Sequence, residues 1–217
     1  MNNLFSLYVL NKKQNNFLIF SSITAVALLL IRVKITHSFY LLFLIWNLIL
    51  AVIPYIISNF IKIDFSLKKY NFKNLFFIVT WLLFLPNTFY LITDFVHLNH
   101  TNLIQFCFDF ILLLSFTIAG FYFGILSIFS IQQQIQFFYT SKTSYLFTIS
   151  ISYLCAFGIY IGRFLRFNSW DIISYPLFLA ESTFNCLFEN ETWTFTLGLG
   201  TLITIVNLIY IKSKSNI

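Results

Sequence analysis

The apolar residues of this chain fall into long, predominantly apolar runs instead of alternating or marking one face of an otherwise polar segment. A helix needs about 20 such residues to cross a hydrocarbon core of about 30 Å. Six runs meet that length or come near it: Phe17 to Ile31, then about Phe39 to Phe60, Phe72 to Phe95, Leu103 to Ile131, Tyr145 to Phe164, and Thr194 to Ile211. Lipid offers no partner to backbone N–H and C=O groups, so spanning segments bond internally as helices or close into barrels. Runs this long predict helices. The expected fold is an all-α polytopic membrane bundle of about six spans, forming a single integral domain over residues 1–217. Charged side chains make up 9% of the chain, against about 25% in a soluble domain. Aromatic residues make up 21%, which is incompatible with disorder.

The first run follows Lys12 and Lys13 and so resembles a secretory signal, yet Arg32 and Lys34 succeed it where a small-residue cleavage site would stand. It reads as an uncleaved span. With six spans both termini share a side, and nine of the thirteen basic residues fall there, including Lys62, Lys68, Lys69, Lys73, Lys142, Lys212 and Lys214. The opposite side holds Arg32, Lys34, Arg163 and Arg166, together with every acid except Asp64. The positive-inside bias then places both termini in the cytoplasm, and the expected location is a bacterial cytoplasmic (inner) membrane. The net charge of +6 therefore reports topology. Its basic residues are scattered through short loops and form no stripe for nucleic acid.

Phe167 to Trp193 is too polar and too interrupted to cross. Asn168 or Ser169 would cap a helix with Asp171 in its first turn, and Ile172 to Leu187 reads as an outer interfacial or re-entrant helical stretch broken near Pro176. Trp170, Tyr175 and Trp193 suit the head-group level. Cys107, Cys155 and Cys186 show no metal-ligand spacing and are expected to be packed, unpaired thiols.

Two stretches carry the chemistry. In Trp81–Leu98, Pro86 removes a backbone donor inside a span, and Asn87 and Thr88 stand where the freed carbonyls need partners. Tyr90, Asp94 and His97 follow at offsets of four and three, on one face near the outer end of the third span. In Gly158–Asp171, Tyr160, Arg163 and Arg166 share a face, and Gly162 would let a neighbouring backbone approach. Asp109 lies just inside the fourth span, where an acid must be paired or face the bundle interior.

The runs WLLFLPNTFYLITDFVHL and GIYIGRFLRFNSWD resemble the signatures of an uncharacterised bacterial integral-membrane family, Domain of Unknown Function 1361. Trp46-Asn47-Leu48 with Pro54-Tyr55, and Asp109 through Ser115, Gly120, Gly124 and Ser127, extend the resemblance over about residues 40 to 175. It implies an architecture and no reaction. His100 and the chain after Asp171 depart from the pattern.

The outer residues leave several readings open. Asp94, His97, Asp109, Arg163, Arg166 and Asp171 can pair with one another and lock the loops, in a structural protein or an assembly partner. Alternatively the chain is an enzyme acting on an anionic lipid or lipid-linked phosphate at the outer leaflet. Arg163 and Arg166 would then grip phosphate, with Asn168, Trp170, Asp171, Asn87 and Tyr90 around the ligand. His97 would transfer protons, oriented by Asp94 or Asp109. A metal version through Asp94, His97 and His100, with Asp109 as an added ligand, lacks a recognised spacing, so no metal is expected. A small-solute transporter would use Asn47, Asp109 and the broken third helix. With no glycine-rich phosphate loop and no GxSxG turn, no cofactor is expected. The expected partner is the bilayer itself.

Overall fold

The computed structural model describes residues 12–64, 72–98, 102–167 and 170–215, apart from the side chains of residues 63, 64 and 215. These residues form helices α1 (Lys12–Thr36), α2 (Phe43–Asp64), α3 (Phe72–Phe84), α4 (Pro86–Tyr90), α5 (Leu103–Phe138), α6 (Ser141–Arg163), α7 (Asp171–Ser174), α8 (Pro176–Cys186) and α9 (Asn190–Ser215). A 3-10 segment, Leu91–His97, continues α4. No strand occurs among the described residues. Among the described residues six stretches are long and apolar enough to cross a membrane: Lys12–Thr36, Phe43–Lys62, Phe72–His97, Leu103–Phe138, Ser141–Arg163 and Asn190–Lys214. The protein is a multi-pass helical membrane bundle.

Helix α5 organises it. Against α5 pack α1, α2, α4, the 3-10 segment and α6, while α9 lies mainly on α6. Two apolar clusters result. Leu29, Leu44, Leu112 and Phe116 join α1, α2 and α5; Trp81, Phe89, Ile128, Ile159 and Ile203 join α3 to α6 and α9. The outward side chains of the spans are also large and apolar, as at Phe20, Ile23, Phe76, Ile118 and Ile205, because their surroundings are hydrocarbon.

The third span breaks at Pro86, whose ring cannot donate to the preceding turn. The carbonyls around the break find side chains instead. Asn87 Nδ2 donates to Phe84 O at 3.1 Å and Thr88 Oγ1 to Leu85 O at 2.8 Å. The broken segment lies close against α5, where a Cβ on Gly120 would stand 2.6 Å from the Thr88 carbonyl oxygen. Ser127 ties three helices, accepting from Trp81 Nε1 at 2.8 Å and donating to the Pro54 carbonyl at 2.9 Å.

Several expectations need adjusting. The fourth span runs past Ile131 to Phe138, because glutamine is a good helix former and buried Gln132 donates to Ser144 Oγ at 3.1 Å. Asn168 and Ser169, the expected caps, lie outside the described residues; α7 starts after Trp170, which makes no side-chain capping bond. The break at Pro176 divides α7 from α8. Cys155 and Cys186 are buried free thiols, whereas Cys107 is exposed, on the outward face of α5.

Candidate functional site

The 3-10 geometry of Leu91–His97 has a direct consequence for the site. With three residues per turn, side chains at i and i+3 eclipse, so Asp94 and His97 stand one above the other. Asp94 is fully buried and accepts from Asn47 Nδ2, on the second turn of α2, at 3.1 Å. Arg163, the last residue of α6, approaches from the other side. Its Nη1 donates to Asp94 Oδ1 at 3.5 Å and to Tyr90 Oη at 3.4 Å, and its Nη2 lies 3.4 Å from His97 Nε2. A guanidinium only donates, so Nε2 accepts at this contact. The ring proton then sits on Nδ1 and donates to Tyr40 Oη, 2.8 Å away. Asn47, Asp94, Arg163, His97 and Tyr40 thus form a continuous polar chain drawn from four parts of the sequence.

This chain borders a cavity of about 640 Å³. Tyr40, Asn47, Asn87, Tyr90, Asp94, His97, Arg163 and Thr183 supply its polar groups. The rest is hydrocarbon and aromatic: Leu50 on α2, Leu82 and Leu83 on α3, Leu154, Phe157 and Ile161 on α6, and Ile172 and Leu179 from α7 and α8. Leu154 precedes Arg163 by nine residues of unbroken helix, so the apolar part reaches roughly 13 Å toward the bundle centre at 1.5 Å per residue. Trp46 and Leu154, at 54% and 47% exposure, stand on its rim. The cavity is therefore open sideways, toward lipid.

The expected site residues divide. Asp94, His97, Arg163, Tyr90, Asn87 and Trp170 all line the cavity. Asp109 does not. Its carboxylate takes a two-pronged contact from Arg32, Nε to Oδ1 at 3.2 Å and Nη2 to Oδ2 at 3.1 Å, with both side chains 5% exposed. Asp109 is thus engaged in a tie between α1 and α5, and the bonds to His97 come from Tyr40 and Arg163, not from a carboxylate. Arg166 is exposed on the turn after α6, at a left-handed φ of 61°, and Asp171 opens α7; neither lines the cavity. Asn168 and His100 lie outside the described residues, and no group of three His, Cys, Asp or Glu converges on a metal-sized site among those described.

Three contributors were not singled out from sequence. Tyr40 sits in an aromatic run with nothing to mark it. Arg32 counted only toward topology, although a cation opposing the positive-inside bias, with a buried acid available, is a signal for a pair. The close helix approach in α6 falls at Gly158 and not at Gly162: a Cβ on Gly158 would lie 2.8 Å from Pro86 Cγ, whereas one on Gly162 meets Tyr90 and Phe167 at an ordinary 3.5 Å.

A family model described as "Protein of unknown function (DUF1361)" matches residues 46–206. The match extends past the region of recognised motifs and into α9. No curated protein and no solved structure matches the chain.

Proposed function

The chain belongs to the DUF1361 family of unknown function, and we propose from its cavity that it binds an amphiphile: a lipid or lipid-linked molecule with an anionic, phosphate-bearing head group. One observation carries this reading. A single cavity is polar at one end, apolar along the remainder, and open toward the surrounding lipid. The head group would meet Arg163 and the chain would lie along Leu82, Leu154 and Phe157. Binding sites of this kind are mostly apolar, with a few polar groups that orient the ligand. Arg163 is suited to an anion because it is only loosely held. Its bonds to Tyr90, Asp94 and His97 run 3.4–3.5 Å, at the outer limit of hydrogen bonding, and its side chain is 19% exposed against 1% for Asp94. A phosphate oxygen competes for those donors at shorter range.

The second reading makes the protein an enzyme acting on that head group, with His97 transferring the proton. It rests on the position of His97, half-buried in the cavity wall beside Arg163. Under either reading, the basic residues at the end holding Lys62 and Lys214 favour cytoplasmic termini in a bacterial inner membrane. The cavity head then lies at the extracytoplasmic end.

The experiment is native mass spectrometry of the purified full-length protein, followed by identification of retained lipid. A co-purifying phosphate-bearing amphiphile is expected, with retention reduced in Arg163→Ala and in Leu154→Trp, which fills the apolar part from its rim. Equal retention by both variants, with unchanged thermal unfolding, would overturn the assignment to this cavity.

A further inference from the structure

The opposite end of the bundle holds a second cavity, of about 260 Å³, between α1, α2, α5 and α9. Its character is the reverse of the first. Gln14, Tyr55, Ser130 and Gln133 line it together with Lys62 and Lys214, and no carboxylate is among its lining residues. Among the described residues neither lysine forms an ion pair. Lys62 Nζ donates once, to Gln133 Oε1 at 3.0 Å, and an ammonium carries three donors. Lys214 Nζ lies over the Tyr210 ring, 5.8 Å from its centroid. Several of the neutral groups are already fixed: Gln14 Nε2 donates to Tyr210 Oη at 3.0 Å and Tyr55 Oη to Asn15 Oδ1 at 2.6 Å. Two cations around one small polar cavity repel each other unless an anion lies between them.

We propose that this cavity binds the phosphate of an anionic lipid head group. The level of the site favours a lipid over a free anion, because Lys62 and Lys214 are the terminal residues of their spans and so lie where the head groups begin. Basic pockets between spans are a recurring way of holding anionic head groups. Lys12 and Lys13 are also basic at this end, yet neither lines the cavity. The positive-inside bias accounts for lysines at this end, but not for the convergence of two of them on one niche. The site is independent of the reading given to the Asp94 cavity.

The test uses the full-length protein in detergent micelles, titrated with dioleoylphosphatidylglycerol, with dioleoylphosphatidylcholine, or with inorganic phosphate, and followed by thermal unfolding and native mass spectrometry. Phosphatidylglycerol is expected to bind and raise the unfolding midpoint, and the other two probes to do neither. At about 1 kcal/mol per lysine near the head group, Lys62→Gln and Lys214→Gln should each weaken binding about fivefold. Lys62→Arg and Lys12→Gln should retain it. If Lys62→Gln does not fold, Lys214→Gln in the last turn of α9 carries the test. Equal binding of phosphatidylcholine would overturn the proposal. So would inorganic phosphate matching the lipid, which would make the site a soluble-anion site, or a loss in Lys12→Gln as large as in Lys62→Gln, which would make the effect one of general surface charge.

Discussion

Asp94 and Arg163 stand 69 positions apart in the chain and 3.5 Å apart in the fold, but they are not equal partners. Asp94 is buried and anchored by Asn47 at 3.1 Å, whereas the guanidinium spreads three long bonds and keeps part of its surface in the cavity. The carboxylate positions the cation, and the cation meets its neighbours through long bonds only. The Arg32–Asp109 pair has no such asymmetry, since both members are equally buried and meet through two bonds of 3.1 and 3.2 Å. One pair is built to hold the bundle, the other to border a cavity.

That contrast predicts opposite phenotypes. Asp109→Ala leaves Arg32 charged and buried, and removing one member of a buried pair costs about 3–5 kcal/mol. The expected result is a large drop in the unfolding midpoint in detergent, with partial recovery in the double variant Arg32→Met/Asp109→Leu, which removes both charges. Unfolding of Asp109→Ala at the parent midpoint would contradict the structural role.

Asn47 tests how firmly Asp94 is anchored. Asn47→Leu leaves the buried carboxylate with only the long bond to Arg163 among the described residues, and an unsatisfied buried acceptor costs about 1–3 kcal/mol. Denaturant unfolding should register that loss. Asn47→Gln, which keeps the amide, should recover part of it.

The Ser127 bridge gives a third prediction. Ser127→Ala strands the buried Trp81 Nε1–H, which costs about 1–3 kcal/mol. Ser115→Ala on the same helix removes only a bond to its own Leu112 carbonyl and should cost less than about 1 kcal/mol. Equal midpoints for the two variants would count against the bridge.

Helix approach can be tested by bulk. Gly120→Val drives a side chain into the Thr88 carbonyl and should destabilise by about 1–3 kcal/mol. Gly162→Ala, with ordinary 3.5 Å contacts, should fall within about 0.5 kcal/mol of the parent. Thermal unfolding of the two variants side by side checks both statements.

Topology is open to labelling in a background with Cys107, Cys155 and Cys186 all changed to serine. Single cysteines at Lys13, Lys142 and Lys212 are expected to react with a membrane-impermeant maleimide only from the cytoplasmic side, and those at Lys34 and Ser174 only from the other. Labelling at Lys13 and Lys212 from opposite sides would break the six-span arrangement.

The spans were legible because hydropathy and helical bonding are local requirements that each segment meets by itself. The Pro86 break and its rescue by Asn87 and Thr88 were legible for the same reason, since the needed acceptors lie three residues away. Helix ends were less so. Gln132–Gln136 looks like a loop by hydropathy, yet glutamine's helix propensity and the Gln132 contact with Ser144 accompany its place within α5. The outer charges read as one group because spacing along a helix reports a shared face, not which neighbouring helix that face meets.

The sequence by itself determined the six-span helical architecture and the ends at which the charged residues gather, because the bilayer imposes both on any segment in isolation. Only the tertiary structure decided that Asp109 belongs to Arg32, that Asp94 belongs to Asn47 and Arg163, and that a half-apolar cavity opens beside them. Those outcomes depend on how the helices are rotated and how closely they approach. Small residues such as Gly120 and Gly158, set against the broken third span, settle that approach through contacts no single segment contains.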